Sequence, residues 1–238
     1  MARKAVVRPS TFLRAISLAR KGGDAFPFSV PAVRTLPTLA FDTPVTFLVG
    51  ENGSGKSTVL EGLALACRLP TVGSVEGVDD ATLTAQRALA RALKVVWSRR
   101  TARGFFLRAE DFFGFTKRMA QLRSEMLQGI AAIDANWSDR SDYARRLAQG
   151  PLRASLHAME ERYGVDLDAN SHGQSFLKLF ASRLVPGGLY VLDEPEAPLS
   201  PQSQLGLIAM ISDAIAAGSQ FIIATHSPIL LSYPGARI

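Results

Sequence analysis

A glycine-rich segment containing one lysine directly follows the apolar run Val45–Val49. Its glycines let the backbone curl so that successive amide N–H groups point toward phosphate oxygens, and a helix beginning near Lys56 adds the positive end of its dipole. The Lys56 ammonium then reaches the β- and γ-phosphates, and the Ser57 hydroxyl binds Mg²⁺. The spacing matches a Walker A phosphate loop at every fixed position. It predicts an ATP-binding segment of nine residues: Gly50, Glu51, Asn52, Gly53, Ser54, Gly55, Lys56, Ser57 and Thr58.

Two adjacent carboxylates, Asp193 and Glu194, end a second apolar run, Leu189–Leu192. Asp193 is expected to hold Mg²⁺, and Glu194 to orient and deprotonate the water that attacks the γ-phosphate. Because the carboxyl ends of neighbouring parallel strands meet at one edge of a sheet, this pair and the phosphate loop are predicted to share a site.

A histidine follows a third apolar run, Phe221–Thr225, in the sequence Thr225-His226-Ser227-Pro228. If this run neighbours the strand of the carboxylate pair, His226 is placed to sense the γ-phosphate or to orient the water. His157 lies in a helical stretch without a partner motif and is interpreted as a surface or packing residue.

Small polar residues, Asn170–Ser175, precede a predicted amphipathic helix, Phe176–Leu184. The free N–H groups at a helix start form an anion site, but one chain has little use for two phosphate sites that face different ways. Two chains arranged head to tail would each complete the other's site. The run predicts this ATP-dependent homodimer, with an ordinary helix cap as the alternative.

The elements that must position these residues divide the chain into three parts. Residues 1–80 are predicted to form an N-terminal lobe with strands at Phe12–Leu18, Phe26–Val30 and Val45–Val49 and a helix from Ser57 to Leu69. Residues 81–165 are predicted to form an inserted helical subdomain. Residues 166–238 return to an α/β rhythm, with Ser200 as the cap of a helix that runs to Gly218.

The middle part is rich in Ala, Leu, Arg and Gln. It predicts helices at Thr82–Val96, Thr116–Ile133 and Ser141–Tyr163, the last with a break at Gly150-Pro151. Between the first two, a short strand at residues 104–110 is expected to lead into a loop. The predicted fold is α/β, with a mixed sheet and an inserted helical subdomain.

Together these motifs resemble the ABC-type ATPase superfamily, and more narrowly its soluble SMC/RecF-like and AAA-type members. The order of the motifs carries the likeness: Gly50–Thr58, Ser171–Gln174, Leu189–Glu194, Pro198–Pro201 and Ala224–Pro228. The resemblance implies the P-loop fold of an ABC ATPase head and ATP hydrolysis with Mg²⁺. It covers nearly the whole chain.

The resemblance also implies roles for individual residues. Ser171 and Gly173 match the signature loop that touches the partner's γ-phosphate, and Pro198–Pro201 matches the interfacial D-loop. Glu110 stands where a metal-contacting glutamine is usual, and His172 departs from the usual glycine. An aromatic residue of the N-terminal sheet is implied to stack on adenine, either Phe26 or Phe28.

Composition limits the class of protein. The single cysteine, Cys67, excludes an internal disulfide and suits a reducing cytoplasm; it is interpreted as a packing residue. The longest apolar runs are too short to span a bilayer, which predicts a cytoplasmic chain without membrane insertion. The final residues, Arg237-Ile238, resemble the opening of another strand.

The net charge of +6 is uneven, since residues 81–165 contain 15 Lys and Arg against 8 Asp and Glu. This block predicts DNA or RNA binding by the helical subdomain, or else a solvated arginine-rich face. A transporter's nucleotide-binding subunit and a regulatory or toxin-linked module are the alternatives. The twelve cations concerned are Arg87, Arg91, Lys94, Arg99, Arg100, Arg103, Lys117, Arg118, Arg123, Arg145, Arg146 and Arg153.

Overall fold

Eight short strands and eight helices make up the part of the chain that the computed structural model describes, residues 11–20, 22–72, 83–163 and 172–238. The strands are β1 (Leu13–Leu18), β2 (Leu39–Ala40), β3 (Val45–Leu48), β4 (Thr71–Val72), β5 (Leu93–Trp97), β6 (Gly104–Arg108), β7 (Leu189–Asp193) and β8 (Gln220–Ala224). The helices are α1 (Pro31–Arg34), α2 (Lys56–Cys67), α3 (Leu83–Ala92), α4 (Ala109–Asn136), α5 (Asp142–Tyr163), α6 (His172–Arg183), α7 (Pro201–Ala216) and α8 (Pro228–Leu231).

A five-stranded parallel sheet in the order β3-β8-β7-β6-β4 forms the centre of the fold. Every residue of β7 and β8 is buried, as expected for apolar strands covered on both faces. One face packs on α6 and α7 through side chains such as Phe176 and Leu207. The other packs on α2 through Leu60 and Leu63.

A smaller antiparallel sheet, in the order β2-β1-β5, lies beside the parallel one. The buried side chain of Gln220, at the start of β8, joins the two sheets. Its Oε1 accepts hydrogen bonds from the N–H groups of Phe12 and Leu13, both at 2.9 Å, and its Nε2 donates to the Leu13 carbonyl at 3.0 Å. The amide therefore satisfies three backbone groups that would otherwise be unpaired between the sheets.

The predicted α/β fold is confirmed, and the strands that carry the motifs lie where the apolar runs indicated. The single mixed sheet is not observed: the strands form a parallel sheet and a separate antiparallel sheet. The Ser200 cap is also confirmed: its side chain accepts a hydrogen bond from the Ser203 N–H at 3.2 Å, with Pro201 next in the helix. Arg237 forms a parallel bridge with Thr46 on the free side of β3. The final residues thus begin a strand pairing, as predicted.

Three local predictions are wrong. The helix expected over Thr82–Val96 ends at Ala92, and the alternating residues from Leu93 onward form β5, which pairs with β1. Phe26–Val30 forms turns in place of a strand, with the N–H groups of Phe28 and Ser29 donating to the Ala25 carbonyl. The break expected at Gly150-Pro151 does not occur within α5, because its packing against α4 holds the helix together around Pro151.

The purely helical part of the middle block is the antiparallel pair α4 and α5, ion-paired through Arg123 and Glu160. The block also contains two strands: β5 belongs to the antiparallel sheet and β6 to the parallel sheet. The division of the chain at residues 81 and 165 stays a prediction. No helix among the described residues is both long enough and apolar enough to cross a membrane.

Candidate functional site

The predicted phosphate loop joins β3 to α2, and its glycines adopt the backbone shape that such a loop requires. Gly53 and Gly55 have φ angles of 76° and 102°, values that only glycine adopts readily. A side chain at Gly55 would also meet Val30, whose Cγ1 lies 2.2 Å from the position of a Cβ there. Helix α2 begins at the next residue, Lys56, so its free N–H groups face the loop.

Lys56 folds back across this loop. Its Nζ donates hydrogen bonds to the carbonyl oxygens of Gly50 at 2.7 Å and Glu51 at 3.0 Å. The side chain is only 8% exposed, so its charge is held inside the curve of the loop. An ammonium group in this position is available to oxygen atoms that enter the loop from solvent.

An open cleft of about 390 Å³ lies over the loop and ends against Phe26. The Phe26 side chain is 56% exposed, whereas Phe28 is half-buried against the core cluster that includes residues of α2. Of the two candidates for stacking on a base, the structure therefore leaves Phe26 accessible. Loop residues and their neighbours form the rest of the wall: Val30, Asn52, Gly53, Gly55, Lys56, Ser57, Thr58 and Glu194.

Asp193 lies at the carboxyl end of β7, next to Ser57, with which its side chain forms a hydrogen bond. The carboxylate is 3% exposed, and its Oδ1 atom is buried without a hydrogen-bond partner. Burial raises the pKa of Asp193 above its ordinary value of 3.8, although the Ser57 hydrogen bond and the nearby Arg108 charge lower it. A buried carboxylate oxygen beside a hydroxyl is a ready partner for a hard cation.

Arg108, the last residue of β6, was not predicted to belong to the site. Its guanidinium contacts the Glu61 carboxylate of α2, and its Nε lies 3.8 Å from Asp193 Oδ2. These residues, together with Ser57, Glu110 and Glu194, line a second cleft of about 320 Å³. The only signal in the sequence was the position of Arg108 at the end of a strand.

Glu110 lies in this second cleft, but not in a loop. The strand β6 leads directly into α4, and Glu110 occupies its first turn, where a carboxylate is favoured by the helix dipole. Its charge is close enough to Asp193 to raise the pKa of that group further. A direct contact of Glu110 with a metal ion stays a prediction.

Glu194 adopts a left-handed backbone conformation, with a φ angle of 49°. This conformation costs a non-glycine residue of order 1–3 kcal/mol and is concentrated at functional sites. It turns the chain at the end of β7, where the Glu194 N–H donates to the Ala224 carbonyl at 2.9 Å. The partly exposed carboxylate lies 3.6 Å from His226 Nε2.

The predicted neighbourhood of His226 is present, because β8 pairs with β7 in register up to Asp193 and Ala224. Glu196, which was not predicted, anchors the segment that carries the histidine. Its Oε1 accepts hydrogen bonds from Thr225 Oγ1 at 2.7 Å and from the N–H groups of His226 and Ser227 at 2.7 and 3.2 Å. A single carboxylate oxygen therefore sets the position of the His226 backbone.

The predicted signature loop is described only in part. Ser171 lies outside the described residues, and α6 begins at His172. Gly173 contacts Pro198–Ser203: a Cβ there would lie 3.2 Å from both the Pro198 carbonyl oxygen and Ser203 Oγ. Gly173 lines neither cleft over the phosphate loop, so in the chain by itself it does not contribute to the same site.

Two family models match the chain. One, described as an AAA domain, putative AbiEii toxin, Type IV TA system, matches residues 110–232, just over half of the 238 residues. A second, described as an AAA domain, matches residues 34–73 and so includes the phosphate loop. The chain belongs to the AAA domain family of the first model. This membership and the relatives below confirm the prediction of an ABC- or AAA-type ATPase domain.

The relatives are ATP-binding proteins of transporters. The cobalt import ATP-binding protein CbiO of Salmonella typhimurium is 29% identical over 188 residues, which cover 77% of this chain and 62% of the relative. The energy-coupling factor transporter ATP-binding protein EcfA2 of Streptococcus thermophilus is 26% identical, covering 84% of this chain and 67% of the relative. The chain thus spans about 62% of the length of CbiO.

The raised pKa of Asp193 predicts how stability depends on pH in the absence of metal. Its carboxylate form is less favourable in the folded chain than in the unfolded chain, so folding loses stability as the pH rises through the folded pKa. We expect Asp193→Asn to have a higher melting temperature than the parent at pH 7.5 in EDTA.

The gain should shrink as the pH falls through the folded pKa and should vanish below the ordinary value of 3.8, where both states of the parent become protonated. Thermal melts followed by circular dichroism across pH 4–8 would measure it, with the exposed Asp213→Asn as a matched control. A lower melting temperature for Asp193→Asn at neutral pH would contradict this account of the buried carboxylate.

Proposed function

We propose that the chain binds ATP with Mg²⁺ over its phosphate loop, hydrolyses it, and couples this cycle to head-to-tail dimerisation. The observation that carries the proposal is the meeting of Lys56, Ser57, Asp193, Glu194 and His226 at one edge of the parallel sheet. They come from the carboxyl ends of two neighbouring strands, β7 and β8, and from the start of α2. Nucleotide binding at such an edge is general in open α/β sheets.

The phosphate loop and Phe26 are proposed to bind different parts of the nucleotide. The N–H groups at the start of α2 and the Lys56 ammonium receive the β- and γ-phosphates, and the ammonium exchanges its bonds to loop carbonyls for bonds to phosphate oxygens. The exposed ring of Phe26 forms the far wall of the same cleft, where it can stack on the base. The cleft therefore accommodates a charged end and an aromatic end.

The oxygen atoms available at the site suit Mg²⁺ better than a metal ion that is coordinated by protein side chains alone. Within the described ranges, no three His, Cys, Asp or Glu side chains are grouped to hold a metal ion. Magnesium is usually bound by one or two protein oxygens together with substrate phosphates and water, and Ser57 with the unpaired Asp193 Oδ1 fits that pattern. When bound, the ion neutralises phosphate charge.

Glu194 is the proposed general base. Hydrolysis forms a bond from a water oxygen to the γ-phosphorus and breaks the bond from that phosphorus to the bridging oxygen. Glu194 accepts the proton of the water. His226, 3.6 Å from the Glu194 carboxylate, is placed to donate to a γ-phosphate oxygen, and Glu196 positions it by holding its backbone.

The dimer would complete a site that one chain leaves open. Glu194 and His226 are partly exposed, and the start of α6 faces Pro198–Ser203 in its own chain. In a head-to-tail pair, the Ser171–Gly173 segment of one chain would close over the γ-phosphate held by the other. This arrangement makes assembly depend on ATP.

A transporter subunit is the second candidate, because the printed names of the relatives are those of import and energy-coupling transporters. Such a role needs a surface on the chain that receives a membrane partner. The first family model's description favours instead a module of a toxin–antitoxin system. Either use would employ the same ATP-dependent dimer, and a cytoplasmic location suits both.

Substitutions in the site should separate ATP binding from hydrolysis. We expect Glu194→Gln to form a stable dimer in MgATP, because the nucleotide is bound but not cleaved. Lys56→Ala should stay monomeric at all ATP concentrations. Size-exclusion chromatography with light scattering measures both, with ADP as the control nucleotide. Identical elution of the two variants in MgATP would refute the sandwich model.

Truncation of Phe26 should weaken binding of the base without affecting the phosphates. Base–aromatic stacking contributes about 1–3 kcal/mol, so Phe26→Ala should raise the dissociation constant for ATP by about 5- to 150-fold. Isothermal titration with ATP and with tripolyphosphate measures the two parts. An unchanged ATP affinity, or an equal loss for tripolyphosphate, would rule out stacking by Phe26.

The Glu196 carboxylate is expected to act as a positioning residue. Glu196→Ala should lower kcat by about 10- to 100-fold, because small displacements of reacting groups are costly, and should leave KM nearly unchanged. Glu196→Gln keeps an acceptor oxygen and should recover much of the rate. Glu125→Ala, on the exposed side of α4, is the control. Equal loss in the Gln and Ala variants would contradict the positioning role.

A further inference from the structure

The basic excess of the chain lies on one edge of the small antiparallel sheet. Residues 83–108, from α3 to β6, contain seven Lys and Arg and no Asp or Glu. The helical pair that follows, residues 109–163, contains eight of each sign and is neutral as a whole. The predicted patch on a helical subdomain is therefore replaced by one on the flank that carries β5.

Exposure and pairing distinguish these two regions further. We name the basic edge as the exposed cations Arg87, Arg91, Lys94, Arg99 and Arg100. Among the described residues, none of the five forms an ion pair. On the helical pair, by contrast, Arg123 and Arg145 contact Glu160 and Asp142. Unpaired arginines in a group repel one another, so the basic edge is poised for an external anion.

The five cations lie on consecutive elements of the fold. Arg87 and Arg91 are four residues apart on α3 and share a helix face. The chain then passes directly into β5, where Lys94 lies opposite Ser17 of β1. Arg99 and Arg100 follow the strand end, and the Arg99 guanidinium covers the Phe12 ring at 4.9 Å. Lys94 and Arg99 are five residues apart, so the chain between them spans at most about 16–18 Å.

A row of this kind matches a phosphate backbone. Duplex nucleic acid carries one negative charge per about 1.7 Å of its axis, so a row of up to about 16 Å meets several phosphates. Four of the five cations are arginines, whose planar guanidinium binds phosphate in a bidentate manner. Val96 is the exposed large apolar side chain of β5, and Trp97 is half-buried against the core. This edge therefore offers a membrane surface little to bury and offers bases little aromatic surface.

We propose that the basic edge binds the backbone of double-stranded nucleic acid without sequence preference. The binding is electrostatic and does not require ATP, so its test is independent of the proposed hydrolysis. The phosphate loop and the basic edge are nevertheless connected, because α3 packs on α2 through Leu89 and Gly62.

Two triple variants of equal charge test the proposal. One removes Arg87, Arg91 and Lys94 from the basic edge, and the other removes Arg118, Arg146 and Lys117 from the helical pair, each residue being changed to Gln. Both lose two arginines and one lysine, all exposed. Circular dichroism confirms folding, and fluorescence anisotropy with labelled 20-base-pair DNA and RNA duplexes measures binding from 50 to 200 mM salt, with and without ATP.

The parent should bind a duplex with a salt slope that the edge variant lowers by about 2–3, with a loss of about tenfold or more in affinity. The control variant should bind like the parent. Comparison of the DNA and RNA duplexes shows whether DNA, RNA or both are bound. Equal losses in both variants, tighter binding to single strands, binding only to anionic phosphatidylserine vesicles, or no salt-dependent binding would each overturn the proposal.

Discussion

Parallel pairing of β7 with β8 brings the chemistry of this chain together. The register runs from Leu189 with Gln220 to Asp193 with Ala224, and it is continued by the bond from the Glu194 N–H to the Ala224 carbonyl. This pairing places two carboxylates and His226 at one end of two buried strands. The phosphate loop reaches the same edge because β3 pairs with the other side of β8. A shift of one residue would move each side chain to the opposite face of the sheet and would separate the carboxylates from the loop.

The site is built from polar groups that are costly to bury. Asp193 has a raised pKa and an unpaired oxygen, Glu194 has a strained backbone, and Arg108 holds its charge between two carboxylates. Such groups lower the stability of the folded chain, and they are tolerated where a ligand compensates for them. The Gln220 amide shows the opposite case: it is just as buried, but both its oxygen and its nitrogen are hydrogen-bonded within the protein.

Two regions of the chain differ in the sign of their charge. At the sheet edge that carries the phosphate loop, acidic groups lie around one lysine and one arginine. Along β5, cations stand without acidic neighbours among the described residues. The count of Lys and Arg over residues 81–165 did not distinguish the cations near β5 from those of the helical pair α4 and α5. Their separation depends on β5 joining β1, a contact between residues about 80 positions apart, which local composition does not report.

The sequence by itself determined the chemistry of the site and the order of its elements. A glycine-rich loop with Lys56 and Ser57, and a carboxylate pair after an apolar run, are local patterns, so their strand–loop–helix context could be predicted. Tertiary structure decided what depends on distant contacts. The Leu93–Trp97 segment became a strand because β1 was available to pair with it, and Pro151 stayed within a helix because α4 packs alongside. Packing also left Phe26 exposed and Phe28 half-buried.

The same reason explains the residues that were missed. Arg108 and Glu196 have no recognisable motif around them. The role of Arg108 arises from Glu61 and Asp193, which are 47 and 85 positions away in the sequence. The role of Glu196 arises from the segment Thr225–Ser227 at the end of the neighbouring strand. A motif records which groups the ligand needs. Tertiary contacts determine which other groups hold the motif in place.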